Sequence, residues 1–120
     1  MKELTKAEEE IMQVLWELKS AFVKEIIERL PEPKPAYNTV STFIRILEQK
    51  GFVGHEPHGR SYKYHPIISK EIYTKTFMKG LVSRYFEGSF KQMVSFFTNE
   101  EDLSLTELEQ LIQELKKRKQ

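Results

Sequence analysis

The chain has 120 residues, with 19 Lys and Arg against 18 Asp and Glu and no cysteine. Such a length suits one compact domain, or a small domain with a short accessory segment. The missing cysteines exclude a disulfide scaffold, thiolate zinc fingers and iron–sulfur clusters. Because no stretch approaches the roughly 18 consecutive apolar residues that span a bilayer, and no signal-peptide core begins the chain, we expect a soluble, cytoplasmic protein.

The near-zero net charge hides an uneven distribution. Residues 1–33 carry five basic and eight acidic residues, residues 34–66 carry five and two, and residues 67–120 carry nine and eight. All three histidines also lie in the middle segment. Positive charge is therefore concentrated locally, as a nucleic-acid contact would require.

The first helix is predicted from a capping box. Thr5 and Glu8 have the spacing of a capping box, in which each side chain accepts a hydrogen bond from the backbone N–H of the other residue. Apolar residues at helical spacing follow, which predicts a helix over about 6–19. The break after it, 20–22, makes Phe22 a candidate for a short strand.

Two further helices are predicted before residue 51. One covers about 23–30 and ends there because Pro31 disfavours helical geometry in the residue before it. After an extended connector over 31–35, a third helix covers Asn38 to Lys50. Gly51 stands where a left-handed residue is expected to end that helix.

A hairpin follows the third helix directly. Residues 52–56 and 61–65 have strand character, and Pro57 to Arg60 between them predicts a four-residue turn. Helix, helix, helix and hairpin is the order of a winged helix-turn-helix, in which the third helix enters the major groove and the hairpin, the wing, contacts the adjacent backbone or minor groove. We therefore predict a winged-helix DNA-binding domain over residues 1–66 in a mostly α chain with a small β-hairpin.

Residues 67–120 are predicted to form a three-helix dimerisation segment. Ser69 caps a helix to about Glu87, a short helix follows around 90–97, and a capping box at Ser104 opens the last helix. This segment holds seven of the 14 aromatic residues, more than three short helices can bury among themselves. A symmetric dimer would cover them, and packing against the first domain is the alternative. The residues assigned to dimerisation are Tyr73, Phe77, Leu81, Phe86, Phe90, Val94, Phe97, Leu108, Leu111, Ile112 and Leu115.

Catalysis and metal binding have little support in the sequence. His55 and His65 lie in opposed predicted strands and His58 in the turn, so a shared metal ion would need a special geometry, and polar hairpin side chains are the simpler interpretation. Glycine-rich phosphate loops, nucleophile elbows and paired-carboxylate clefts are absent from the sequence. We expect no enzyme activity, cofactor or metal.

Double-stranded DNA is the partner that the third helix and the wing favour. Asn38 suits adenine and Arg45 suits guanine, although Asn38 could instead cap the helix. Arg60 beside Gly59 suits a phosphate backbone or a minor groove. A merely solvated helix face would not explain the local excess of positive charge. The residues assigned to DNA binding are Asn38, Thr39, Ser41, Thr42, Arg45, Lys50, Arg60 and Lys63.

Several segments together resemble the penicillinase repressor (BlaI/MecI/CopY) family. The resemblance rests on segments 4–16, 37–42, 45–53 and 59–64, and continues through 101–104. It implies a bacterial transcriptional repressor whose winged helix binds a palindromic operator. The C-terminal helices of such a repressor hold it together as a homodimer. In the beta-lactam branch it also implies a membrane-bound sensor protease as partner and release by signal-induced proteolysis within the dimerisation segment.

The chain departs from the family pattern in three places. It lacks the C-terminal cysteine motif of the copper-responsive branch, which excludes thiolate copper sensing. Phe96-Phe97 stands where the beta-lactam branch tends to have a cleaved Asn-Phe bond, and Ala36-Tyr37 replaces a common Ser-Pro helix start. The alternative function is a winged-helix protein-interaction module without sequence-specific DNA binding.

Overall fold

The computed structural model describes residues 2–99 and 104–118, which form helices and one antiparallel hairpin. The elements are α1 (Lys6–Leu18), α2 (Val23–Arg29), α3 (Tyr37–Gln49), β1 (Val53–His58), β2 (Ser61–Pro66), α4 (Lys70–Tyr85), α5 (Phe90–Asn99) and α6 (Leu105–Arg118). The predicted mostly α fold with a small hairpin is confirmed. The chain divides into two compact units, residues 1–76 and residues 77–120.

The first unit has a continuous apolar core. Helices α1, α2 and α3 contribute the apolar positions that recur at helical spacing, and the base of the hairpin closes one side. Its buried members are Ile11, Met12, Val14, Leu15, Ala21, Val23, Ile26, Leu30, Val40, Ile44, Leu47, Phe52, Val53, Tyr64 and Tyr73. Burial of one face of α3 leaves its opposite face to solvent.

The predicted capping box at the start of α1 is confirmed. The Thr5 amide donates to Glu8 Oε1 at 2.7 Å, and the Glu8 amide donates to Thr5 Oγ1 at 3.2 Å. Glu8 is only 2% exposed, and Lys50 Nζ donates to its carboxylate at 2.8 Å. Burial alone would raise the pKa of Glu8, but the hydrogen bonds from Lys50 and Thr5 outweigh it and hold that pKa below its usual value. The end of α3 is thereby tied to the start of α1.

The hairpin turn is two residues long, so the predicted four-residue turn is wrong. Pro57 pairs with Tyr62 and His58 with Ser61, which leaves only Gly59 and Arg60 in the turn. Pro57 is tolerated because a two-stranded sheet has only edge strands, where a missing N–H need not break the ladder. Gly59 has a φ of 64°, which suits the first position of a two-residue turn.

Gly51 has the left-handed conformation expected of a residue that ends a helix, with a φ of 85°. The short strand expected at Phe22 is instead a single bridge at Ala21. The Ala21 amide donates to the Tyr64 carbonyl at 2.9 Å, and the Tyr64 amide donates to the Ala21 carbonyl at 2.8 Å. Phe22 precedes α2 as its N-cap residue.

Tyr73, which the sequence analysis assigned to dimerisation, lies in the core of the first unit. Its ring lies 5.7 Å from that of Trp16 and 5.8 Å from that of Phe52, between centroids. The Tyr73 hydroxyl donates to Glu9 Oε2 at 2.9 Å, and Trp16 Nε1 donates to the Ile68 carbonyl at 2.9 Å. The assignment of Tyr73 to dimerisation rested on the number of aromatic residues in 67–120, which does not tell which core a given ring enters.

The second unit leaves large apolar side chains at its surface. Phe90 is 58% exposed, Phe96 50% and Phe97 39%, whereas Met93 is 5% exposed. Phe77 is exposed too, and the other assigned residues of α4 and α5, namely Leu81, Phe86 and Val94, are half-buried. The side chains of Leu108, Leu111, Ile112 and Leu115 lie outside the described part of the structure. In the described segments, no helix is both long and apolar enough to cross a membrane.

Candidate nucleic-acid interface

The solvent face of α3 carries most of the residues assigned to DNA. Val40, Ile44 and Leu47 are buried, and the positions opposite them on the helix are polar and exposed. Those exposed residues are Asn38, Thr39, Thr42, Arg45 and Gln49. The helix therefore presents hydroxyl, amide and guanidinium groups together on one surface.

The structure excludes the helix-cap alternative for Asn38. Helix α3 begins at Tyr37 with Ala36 as its N-cap, and no side chain caps it. The Asn38 side chain is thus not a cap. The backbone carbonyl of Asn38 accepts a hydrogen bond from Thr42 Oγ1 at 2.9 Å. The Asn38 amide group is exposed on the first turn.

A groove of about 660 Å³ lies between α3 and the hairpin. Ser41 and Arg45 line it from α3, and Arg60 lines it from the turn of the hairpin. Arg45 Nη2 lies 3.4 Å from Ser41 Oγ, and both arginines are exposed. The structure thus brings two guanidinium groups predicted to contact DNA onto the walls of one groove.

Lys50 and Lys63 lie outside this groove lining. The Lys50 ammonium donates to Glu8 and also to the Glu3 carbonyl at 3.1 Å, and its side chain is 20% exposed. Lys63 Nζ lies 5.4 Å from the centroid of the Phe22 ring, a cation–π contact. Both ammonium groups therefore have interactions within the protein.

The three histidines have different surroundings. His55 Nδ1 contacts the Glu48 carboxylate, and the His58 ring lies edge-on to Phe22 at 5.8 Å. His65 lies close to Gly54, where a Cβ would be 2.9 Å from His65 Nε2. Among the described residues, no group of three or more His, Asp and Glu side chains could hold a metal ion.

Two tyrosines on the groove were not among the predicted site residues. Tyr37 on α3 is 51% exposed and Tyr62 on β2 is 52% exposed, and both line the groove with Arg45 and Arg60. The alternation of Ser61, Tyr62 and Lys63 on a short strand could have indicated a surface position for Tyr62. For Tyr37 the signal was weaker, because the predicted helix began one residue later.

The family model described as Penicillinase repressor matches residues 4–117. The chain belongs to the penicillinase repressor family. The family expectation drawn from the sequence motifs is confirmed over nearly the whole chain.

Named relatives match at similar levels along most of their length. The penicillinase repressor of Bacillus licheniformis is 30% identical in an alignment of 121 positions, which covers 98% of this chain and 94% of that relative. The methicillin resistance regulatory protein MecI of Staphylococcus aureus strain N315 is 29% identical over 110 residues, which cover 91% and 89%.

Solved structures of this family share the winged-helix fold. The solution structure of the DNA-binding domain of the repressor BlaI matches with a TM-score of 0.52 and 31% identity, over 61% of this chain and 94% of that one. The monomeric form of Bacillus licheniformis BlaI in complex with the blaP half-operator matches with a TM-score of 0.50 and 30% identity, over 60% and 89%. The predicted winged helix is confirmed.

Proposed function

We propose that this chain is a bacterial transcriptional repressor that binds operator DNA through α3 and the wing. The observation that carries the proposal is the exposed polar face of α3 beside a groove with two arginines, in a member of the penicillinase repressor family. A BlaI neighbour with the same winged helix has been solved on a half-operator, which supports DNA as the ligand.

In this proposal α3 reads the major groove. Arg45 and Asn38 have the donors and acceptors that match guanine and adenine edges, and Thr42 lies between them on the same face. Thr39 and Ser41 are placed to donate to phosphate oxygens. Helix insertion buries only the polar face, so the apolar core need not change.

Arg60 supplies the wing contact. Its position in a two-residue turn places a guanidinium at the tip of the hairpin, where it can follow a phosphate backbone or enter a minor groove. Lys63 on β2 remains a candidate for a further phosphate contact. We assign Lys50 no direct contact, because its ammonium binds the buried Glu8.

The second unit is proposed to form a homodimer. Its exposed aromatic side chains would be covered by a second copy, and two winged helices related by two-fold symmetry would bind a palindrome. Occupied operator DNA would then be closed to transcription. Packing of these side chains against the first unit is the alternative that the dimer proposal must exclude.

Release by a membrane-bound sensor protease is the remaining part of the family proposal. Phe96 and Phe97 lie within α5, and helical backbone is a poorer protease substrate than an exposed extended loop. Cleavage at this bond would therefore require α5 to unwind locally. Incubation with the sensor protease and mass spectrometry of the fragments would test whether this bond is cut.

The decisive experiment measures binding to DNA from upstream of the chain's own gene, in competition with unrelated DNA. Arg45→Ala should cost about 1–3 kcal/mol at one base pair, which relaxes discrimination there. Arg60→Ala should weaken all sequences and lower the slope of log K against log salt by about one. Lys75→Ala, which removes an exposed charge from α4, is the matched control and should change neither.

Failure of the intact chain to distinguish any sequence from unrelated DNA would contradict the proposal. That result would favour the winged-helix protein-interaction module. Equal losses on every sequence for Arg45→Ala would instead make Arg45 a phosphate contact.

A further inference from the structure

The hairpin is buried only at its base, and nearer its tip His58 and Lys63 contact the ring of Phe22, which precedes α2. Val53 is 1% exposed and Tyr64 is 7% exposed, and Tyr64 also pairs with Ala21. From His55 to the turn, every residue of β1 is exposed. Since a two-stranded hairpin is marginally stable by itself, core packing at the base does not determine where the tip lies relative to α3.

One side-chain contact joins the exposed part of the hairpin to the last turn of α3. His55 Nδ1 on β1 lies within hydrogen-bond distance of Glu48 Oε2 on α3. A carboxylate can only accept, so Nδ1 carries the proton in this contact. The two side chains are 38% and 32% exposed, so the contact is partly shielded from water.

The contact continues along the hairpin toward its tip. The His55 ring packs edge-on against the Tyr62 ring, with centroids 4.6 Å apart. Tyr62 lies two residues after Arg60 and on the same wall of the groove. Glu48, His55 and Tyr62 thus form a chain of contacts from α3 to the strand that carries Arg60.

A carboxylate at Glu48 is unfavourable for DNA binding if it has no other role. It lies on the helix that would meet a polyanion, one turn after Arg45, so its charge opposes the phosphates. By accepting a hydrogen bond from His55, Glu48 links α3 to the hairpin, and this link offsets the repulsion. A neutral acceptor at the same position could make the same link without repelling the phosphates.

We propose that Glu48 and His55 are positioning residues that hold the wing against α3 so that Arg60 reaches the DNA backbone. This proposal rests on the DNA-binding function proposed above. It assigns to Glu48 an indirect part in operator binding through its acceptor oxygen, and to His55 a part that depends on its Nδ1–H.

Two substitutions at Glu48 separate the acceptor from the charge. Both Glu48→Met and Glu48→Gln remove the carboxylate charge, but only Gln keeps an oxygen that His55 can bond. Glu48→Met should weaken operator binding about three- to tenfold, which is the range expected for the loss of one hydrogen bond. It should also lower the slope of log K against log salt by about one, because Arg60 loses its phosphate contact. Glu48→Gln should bind as tightly as the parent chain or more tightly.

The same loss is expected on the other side of the contact. His55→Phe keeps a ring to pack on Tyr62 but cannot donate to Glu48. It should weaken operator binding at least as much as Glu48→Met, because the Glu48 charge that repels phosphate remains, and it should lower the salt slope likewise. Circular dichroism and thermal unfolding of each variant check that the fold is kept. His55→Phe is the independent test if Glu48→Met proves unfolded.

A double-mutant cycle with Arg60→Ala completes the test. If the contact acts through Arg60, Glu48→Met with Arg60→Ala should bind no more weakly than Arg60→Ala alone. Additive losses, or tighter binding by Glu48→Met, would overturn the positioning role while parent-chain operator binding still supported the proposed function. A parent chain without operator preference would overturn both.

Discussion

The two compact units treat their apolar residues in opposite ways. Among the described side chains, the first unit gathers 15 buried hydrophobic residues in one cluster, whereas the second buries Met93 and exposes most of its phenylalanines. The base of the hairpin closes one side of the first core. The contrast supports the proposal that a second copy of the chain covers the exposed apolar side chains of the second unit.

Separating the two units should give the largest effect. A chain that ends after Thr76 keeps Tyr73 in its core, so it should remain folded and sediment as a monomer. It should bind a full palindrome about 10²–10⁴-fold more weakly, because the second winged helix is no longer held at high effective concentration beside the second half-site. Sedimentation equilibrium and fluorescence anisotropy measure the two quantities. Affinity for a single half-site is the internal control and should be unchanged, whereas a dimeric truncation would place the contacts in residues 1–76.

Matched phenylalanine truncations compare the two units directly. Phe52→Ala, at a residue 1% exposed, should lower the free energy of unfolding by about 3–5 kcal/mol. Phe90→Ala, at a residue 58% exposed, should change it by less than about 1 kcal/mol but raise the dissociation constant of the dimer. Urea unfolding and sedimentation separate these outcomes, and equal destabilisation by both would favour packing of Phe90 against the first unit.

The ion pair of Glu8 tests how the first unit holds α3. Glu8→Gln should cost about 1–3 kcal/mol at pH 7, because Lys50 loses a charged partner in a buried setting. The lowered pKa of Glu8 stabilises the folded state above the ordinary carboxyl pKa, and this contribution is lost as pH falls through the lowered value. Urea unfolding at pH 7 and at pH 3 should show the difference between parent and variant shrinking in acid, and a difference independent of pH would contradict it.

The hydrogen bond of Tyr73 should give the smallest effect. Tyr73→Phe should cost about 1 kcal/mol, the value of one hydrogen bond. Burial, together with the bond to Glu9, raises the pKa of Tyr73 to about 12. Its contribution is therefore complete below pH 10 and is lost as pH rises from 10 toward 12. Unfolding of the parent chain in that range should be steeper with pH than that of Tyr73→Phe, and identical profiles would remove Tyr73 from this role.

Local signals in the sequence predicted the elements well where one interaction decides them. The spacing of Thr5 and Glu8 predicted the start of α1, and Gly51 predicted the end of α3. The predicted length of the hairpin turn was wrong because proline is common in turns, yet Pro57 lies in an edge strand, where proline is tolerated. Whether such a proline pairs depends on the opposite strand, which local sequence does not describe.

The candidate site was predictable in its residue types but not in its contacts. The spacing of Asn38, Thr42 and Arg45 places them on one helix face, and the structure shows them exposed there. Lys50 carries the same charge as Arg45, yet it binds Glu8, 42 residues earlier in the chain. Tyr62 and the link between Glu48 and His55 are likewise products of two elements meeting.

The sequence by itself determined the family, the order of helices and hairpin, and the residues available for the polar face of α3. These depend on interactions within a few residues, such as helix caps, turn formers and the 3.6-residue apolar period. Only the tertiary structure decided that Tyr73 enters the first core, that Lys50 stabilises α1, and that Arg45 and Arg60 share a groove. The physical reason is that each of these depends on the packing of elements distant in sequence, which local patterns do not encode.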